Sequence, residues 1–298
     1  MTRGRRMWGA LTSALVLFAP VAARAFPDYV GARALGMGGA GRADARGDEG
    51  PLLNPAGMSL GRLYTVDAAY QFMTRDGGHV IHGSAVDSTS AFHIAGGLFY
   101  NYRTASVTGL PRLAGHEAGL ALSYPIGDMV MIGATGKYLH LAGGSPDATG
   151  TTGKISGITA DAGLIVRVGS MLTIGVAGYN LRDLRTRQAP VGVGYGLAFN
   201  PGSKLMVVVD GLHDFTTTDT ARGVLTTVAG GAEYTFEQKV VVRLGGGRDG
   251  VAARGFVSAG AAVMSELGAV DLGVRQDVSG DRKVTVLSAG LRLFVPSP

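Results

Sequence analysis

Residues 117–138 read EAGLALSYPIGDMVMIGATGKY. In the first half Ala118, Leu120, Leu122 and Tyr124 share one parity, and Glu117, Gly119 and Ser123 share the other. Gly127 and Asp128 interrupt the pattern, which resumes with Val130, Ile132, Ala134 and Tyr138 against Thr135 and Lys137. Side chains alternate faces along a β-strand, so a period of two marks a strand with one apolar and one polar face. A break as short as Gly-Asp joins two such strands in a tight hairpin.

The same rhythm runs from about residue 61 to the end of the chain. A first strand over about 62–73 sets Tyr64, Val66, Ala68, Tyr70 and Phe72 against Thr65, Asp67, Ala69 and Gln71. A third, over about 91–103, sets Phe92, Ile94, Leu98, Tyr100 and Tyr102 against His93, Asn101 and Arg103. The segments number about 14. Breaks between them alternate between tiny, as at Gly169-Ser170, Pro201-Gly202-Ser203, Glu237-Gln238 and Ser265-Glu266, and longer, near 104–113, 142–153, 183–187, 216–222, 248–254 and 278–282. Outer-membrane barrels have this asymmetry, with short periplasmic turns and longer external loops. The expected fold is all-β, an antiparallel transmembrane β-barrel of about 14 strands in a bacterial outer membrane. An even number returns the C-terminus to the periplasmic side.

The aromatic residues test that topology. With the first strand running outward, Tyr64, Tyr124, Phe199, Tyr234 and Phe236 fall at the periplasmic rim, and Tyr70, Phe72, Tyr100, Tyr102 and Tyr138 at the outer rim. Two aromatic girdles mark membrane barrels. A secreted parallel β-helix, also glycine-rich, needs a fixed repeat period, and the chain has none.

The first 25 residues read as a cleaved export signal. Arg3, Arg5 and Arg6 are followed by an apolar stretch from Trp8 to Val21 and by small residues at Ala23 and Ala25. The formal charge of +5 resides there: without Arg3, Arg5, Arg6 and Arg24, the 27 basic residues become 23 against 22 acidic ones. A nearly neutral mature chain lacks the electrostatic footprint of a nucleic-acid binder. There is no cysteine, hence no disulfide and no thiolate chemistry.

By parity the inward charges are Asp67, Arg103, Glu117, Lys137, Asp161, Arg167, Asp210, Glu233, Arg243, Asp271, Arg275 and Arg292. Six are acidic and six basic. A selective ion pore would carry one dominant sign, so a lattice of cross-strand ion pairs is the expected role. Lipid-facing substitutions such as Leu120→Arg are expected to cost more than lumen changes such as Ser123→Arg. The six histidines, His79, His82, His93, His116, His140 and His213, show no nucleophile or metal spacing, and Asp277-x-Ser279-x-Asp281 lacks the rest of a calcium loop. No catalysis, metal or cofactor is expected.

Residues 26–60 do not alternate. They contain ARALGMGGA (residues 32–40), the acidic pair Asp48-Glu49 and NPAG (residues 54–57) just before the first strand. This segment resembles the N-terminal hatch of the FadL-like outer-membrane barrels, the superfamily of long-chain fatty-acid transporters and PorV/PorQ-type proteins. The resemblance implies three parts: a signal at 1–25, a hatch at 26–60 and a barrel at 61–298. In the hatch, Gly36, Gly38 and Gly39 would allow tight turns and close packing, and Asn54-Pro55 would fix the entry into the first strand. Gly36-x-Gly38-x-x-Gly41 matches a dinucleotide fingerprint formally, but no strand precedes it. Among barrels, about eight strands fill with side chains and 16–18 leave an aqueous channel. Fourteen lies between, so a plug decides whether the pore leaks. The resemblance implies passive transport of small hydrophobic, fatty-acid-like molecules, or alternatively a barrel that scaffolds or escorts exported or periplasmic proteins. The polar loop at about 142–153 offers no greasy capture surface, which weighs against transport.

Overall fold

In the computed structural model, residues 29–74, 77–90, 93–106, 112–142, 155–185, 189–215, 224–280 and 283–295 are described. The expected export signal, the 143–154 loop and Asp281 lie outside them. Fourteen antiparallel strands close into one barrel, each paired with its sequence neighbours and β1 with β14. They are β1 (Tyr64–Met73), β2 (Gly78–Asp87), β3 (Ala95–Ala105), β4 (Leu113–Ile126), β5 (Val130–Ala142), β6 (Ile155–Val168), β7 (Leu172–Tyr179), β8 (Gly192–Phe199), β9 (Leu205–Asp214), β10 (Leu225–Phe236), β11 (Val240–Asp249), β12 (Arg254–Met264), β13 (Gly268–Asp277) and β14 (Thr285–Phe294). Closure pairs every strand, which is what a sheet needs where no water can satisfy an open edge.

The alternation sets the faces. Leu120 is 71% exposed and Ser123 3%, and outward parity carries Tyr70, Leu98, Leu122, Tyr138, Val207, Leu244 and Leu272, all exposed. An all-round apolar exterior is unfavourable in water and matches hydrocarbon. Among the described residues no helix is long and apolar enough to cross a membrane. The two aromatic groups sit at opposite ends of the strands, with Tyr124, Phe199 and Phe236 at the tight-turn end.

Three details depart from the sequence expectation. The third strand begins at Ala95, and His93 lies before it with a left-handed φ of 60°. The connection between β1 and β2, on the outer side, is only 74–77, while the β2–β3 connection on the periplasmic side spans 88–94. The inversion occurs where the chain enters the barrel: Ser88 Oγ donates to the carbonyls of Gly61 and Leu63 at 2.8 Å each, and binds the incoming segment to the rim.

Residues 29–60 lie within the ring of strands. Helix α1 (Ala32–Gly36) rests on β11–β14, and the 3-10 turn Pro55–Leu60 rests on β3–β6. Helix α2 (Gly50–Leu53) and the turn Gly47–Glu49 connect them. Nearly all of this segment is buried.

Ser123 shows what that means for mutations. Its hydroxyl meets Ser59 Oγ at 2.7 Å and donates to Ala56 O at 3.1 Å, so this lumen position is filled by the inner segment. Leu120→Arg is expected to destabilise the barrel by about 2–4 kcal/mol, because a charge faces hydrocarbon. Ser123→Arg is expected to leave the barrel folded but dislodge the segment, seen as raised conductance with unchanged heat-modifiable migration on gels.

Candidate functional site

The inner segment docks on glycines of the wall. A Cβ on Gly175 would lie 2.5 Å from Arg42 O, one on Gly231 2.7 Å from Met37 Cα, and one on Gly273 2.5 Å from Ala32 O. Each distance is shorter than real Cβ contacts allow, so the small residues of β7, β10 and β13 form the seat. Gly36 in turn approaches Gly260, where an added Cβ would stand 3.0 Å from its Cα.

At the end of α1, Gly38 takes φ +81°, and Gly39 N donates to Ala34 O at 2.7 Å while Gly38 N donates to Leu35 O at 3.1 Å. This is a Schellman closure, which needs a left-handed residue and so favours glycine. The Gly36-x-Gly38-x-x-Gly41 run therefore ends a short helix rather than linking a strand to one.

Asn54 is fully buried. Its Nδ2 donates to Arg42 O at 2.9 Å and, at longer range, to Val176 O (3.3 Å) and Leu164 O (3.4 Å), while its Oδ1 accepts from Ala56 N at 3.2 Å. Its backbone is extended ahead of Pro55, as the proline ring requires. One side chain thus ties two turns of the inner segment to β6 and β7.

Charges complete the seat. Arg33 on α1 pairs with Glu49 at 2.7 Å, Asp44 at 3.0 Å and the wall residue Glu233 at 3.1 Å. Glu49 also accepts Ala34 N at 2.9 Å. Burial pushes the Glu49 carboxyl above the ordinary range against the pull of Arg33. Asp210 accepts the backbone N–H groups of Gly41 and Arg42 at 2.9 Å each and the Arg42 guanidinium at 3.0 Å. Arg292 holds Asp48 through Nε at 2.8 Å and a second nitrogen at 3.1 Å. Arg167 donates to Leu60 O.

The twelve sequence-predicted charges thus have distinct places. Asp210, Glu233, Arg292 and Arg167 touch the inner segment. Arg243 bridges Glu233 (2.6 Å) and Asp271 (2.7 Å) along the wall. Arg103 pairs with Glu117, Lys137 with Asp161 (2.8 Å), and Arg275 with Asp249 (3.0 Å). Asp67 lies 3.9 Å from His82, whose ring stacks on Tyr29 at 4.3 Å. Asp277 of the calcium-like turn instead binds Arg254 at 3.1 Å. Among the described residues no group of three or more acidic or histidine side chains is placed to hold a metal.

Outward of α2 the wall and inner segment enclose a cavity of about 150 Å³. Val30, Pro51, Leu52 and Leu53 form one side, Leu139, Ala189, Pro190 and Leu212 another, and the wall pairs Arg103–Glu117 and Lys137–Asp161 line the rest. Tyr179 closes it by donating to Leu53 O and accepting from Arg42 Nε at 2.8 Å. Beside the cavity, described residues of the β7–β8 connection turn inward over an apolar cluster. Leu184 packs with Leu139, Leu141, Ala189 and Ile155, Asn180 donates to Pro190 O at 2.8 Å, and Thr159 donates to Arg182 O at 3.0 Å. Sequence reasoning missed this loop and sought a greasy surface only at 142–153. A leucine at 181 and another at 184, between the two shortest strands, were the available signal.

A closed 14-strand barrel, apolar outside and filled by an ion-paired N-terminal segment, defines a plugged outer-membrane β-barrel. Its fold is that of three solved barrels: the CymD monoaromatic hydrocarbon channel (14% identity, TM-score 0.71, 91% of this chain and 98% of that one), the Pseudomonas putida toluene transporter TodX (12%, 0.69, 91% and 98%) and the Ralstonia pickettii toluene transporter TbuX (13%, 0.65, 90% and 98%). No family model and no curated protein matches the chain by sequence.

Proposed function

We propose that the chain is a passive outer-membrane channel for small hydrophobic molecules, with residues 1–25 as a removed export signal, 26–60 as the hatch and 61–298 as the channel wall. The observation that carries this reading is the cavity of about 150 Å³ beside an apolar cluster. A space of about that size holds one benzene-sized molecule and is smaller than a long-chain fatty acid. The solute class is therefore a single small ring rather than a long acyl chain. Among the solved barrels of this fold, CymD is a monoaromatic hydrocarbon channel and TodX a toluene transporter, which supports the same class. The balanced lining repels neither sign strongly and favours no ion, as suits a neutral cargo.

Uptake of labelled toluene and labelled palmitate by intact cells expressing the chain, compared with an empty vector, tests this. Toluene uptake is expected to rise several-fold, with a smaller effect on palmitate. Leu139→Arg, which fills the cavity, is expected to return uptake to background while the barrel remains heat-modifiable. Toluene uptake equal to the empty vector would refute the proposal.

A further inference from the structure

Four of the six histidines share a placement that their scatter in sequence conceals. His79, His116, His140 and His213 stand on the outward parity near the outer ends of β2, β4, β5 and β9. Two of them are neighbours, and His79 lies on β2, two strands from His116. His116 and His140 are directly opposite each other in the β4–β5 pairing, and His116 is also opposite Tyr102 of β3. His140 in turn is opposite Ser156 of β6. Tyrosines hold the rings: Tyr70 Oη contacts His79 Nδ1, Tyr100 Oη meets His116 Nδ1 at 2.5 Å, and Tyr102 lies 5.1 Å from the His116 ring. Tyr138 Oη meets Ser156 Oγ at 2.9 Å.

A tyrosine hydroxyl that donates to Nδ1 fixes the neutral imidazole as the Nε2–H tautomer. The His79 and His116 rings then each keep an Nε2–H donor, and His140 adds a third imidazole, at the level of the outer aromatic girdle where headgroups begin. His116 and His140, directly opposite across the β4–β5 pair, place two imidazole donors on one patch, and an anion between them accepts from both. No acidic residue occupies the outward parity of β2–β6 in this outer third: the positions are His79, Ile81, Tyr100, Tyr102, Thr104, Ala114, His116, Ala118, Tyr138, His140, Ala142, Ser156, Ile158 and Ala160. An oxygen-rich anion therefore meets only donors and apolar surface.

We propose that this sector binds the phosphate group of an outer-leaflet lipid, seated between His116 and His140 with His79 and Ser156 at its flanks. It is separate from the lumen and independent of what the channel carries. The test uses the full mature chain in neutral detergent, with bound lipid counted by native mass spectrometry. The probes are lipid A carrying its phosphates and the same lipid dephosphorylated. The expected result is retention of the phosphorylated form only, reduced about tenfold or more in His79→Gln/His116→Gln/His140→Gln, since hydrogen bonds to a charged group are each worth about 1.5–3 kcal/mol. Heat-modifiable migration confirms that the variant is folded, and His140→Gln alone serves if the triple variant is not. Equal retention of the two lipids, or equal retention by wild type and variant, overturns the proposal. So does displacement of the lipid by millimolar inorganic phosphate with no preference for the lipid, which would make this a site for the free anion. Dimers that compete with lipid for the sector would assign the surface to a second copy of the chain.

Discussion

Removing residues 28–53 converts the barrel into an open pore. In planar bilayers the deletion protein is expected to show a conductance roughly tenfold or more above that of the intact chain, because a 14-strand lumen without its filling approaches the bore of aqueous channels. The deletion keeps Asn54, Pro55 and the turn that enters β1, so strand closure is preserved. It strips away α1, α2 and the partners of Asp210, Glu233 and Arg292. Those wall charges then face water, where an unpaired charge costs little. The ladder holds the barrel, so heat-modifiable migration should persist. Unchanged conductance in a folded deletion protein would show that this segment does not close the lumen.

Arg33→Leu is expected to be the most damaging single change in the inner segment. It leaves Glu49, Asp44 and Glu233 without the guanidinium they share. Breaking a buried ion pair from one side costs about 3–5 kcal/mol, here charged to docking rather than to barrel folding. The effect depends on pH with a definite sign. The docked Glu49 carboxyl has a raised pKa from burial, so docking favours the protonated acid. Docking is therefore strongest in acid and weakens as pH rises from the ordinary carboxylate range through the raised value. Removing Arg33 removes the main attraction opposing that rise, while Asp48 still repels the carboxylate and Arg292 still attracts it. Conductance of the variant should be low in acidic buffer and climb in alkaline buffer, with wild type moving the same way over a smaller range. A variant that leaks equally in both buffers would remove Glu49 from the account; a variant as tight as wild type would remove Arg33.

The two effects separate barrel from inner segment. The wall is held by pairing around a closed circle, which every strand shares. The inner segment is held by a few side chains, chiefly Arg33, Arg42 and Asn54, which reach β10, β9 and β6, and Arg292, which reaches in from β14. Losses at those residues are expected to appear in conductance before they appear in melting.

Strand number and facing were legible in the chain because both are local. Side chains alternate every residue along a strand whatever lies beside it, so Leu120 and Ser123 declare opposite faces in a short stretch. The shared parity of the twelve charges is local for the same reason, and so are the two aromatic rims. What the residues touch is a different matter. Arg292 meets Asp48 across 244 positions of sequence, and Arg33 meets Glu233 across 200; no period relates such residues. The wall glycines read only as an excess until Met37, Arg42 and Ala32 were seen against them. His116 and His140 became a pair only through the β4–β5 register, and the apolar cluster beside the cavity only through the inward turn of the β7–β8 connection. Alternation is a property of one strand and is written in its residues. Register, docking and the cavity depend on which distant surfaces meet, and only the closed barrel decided those.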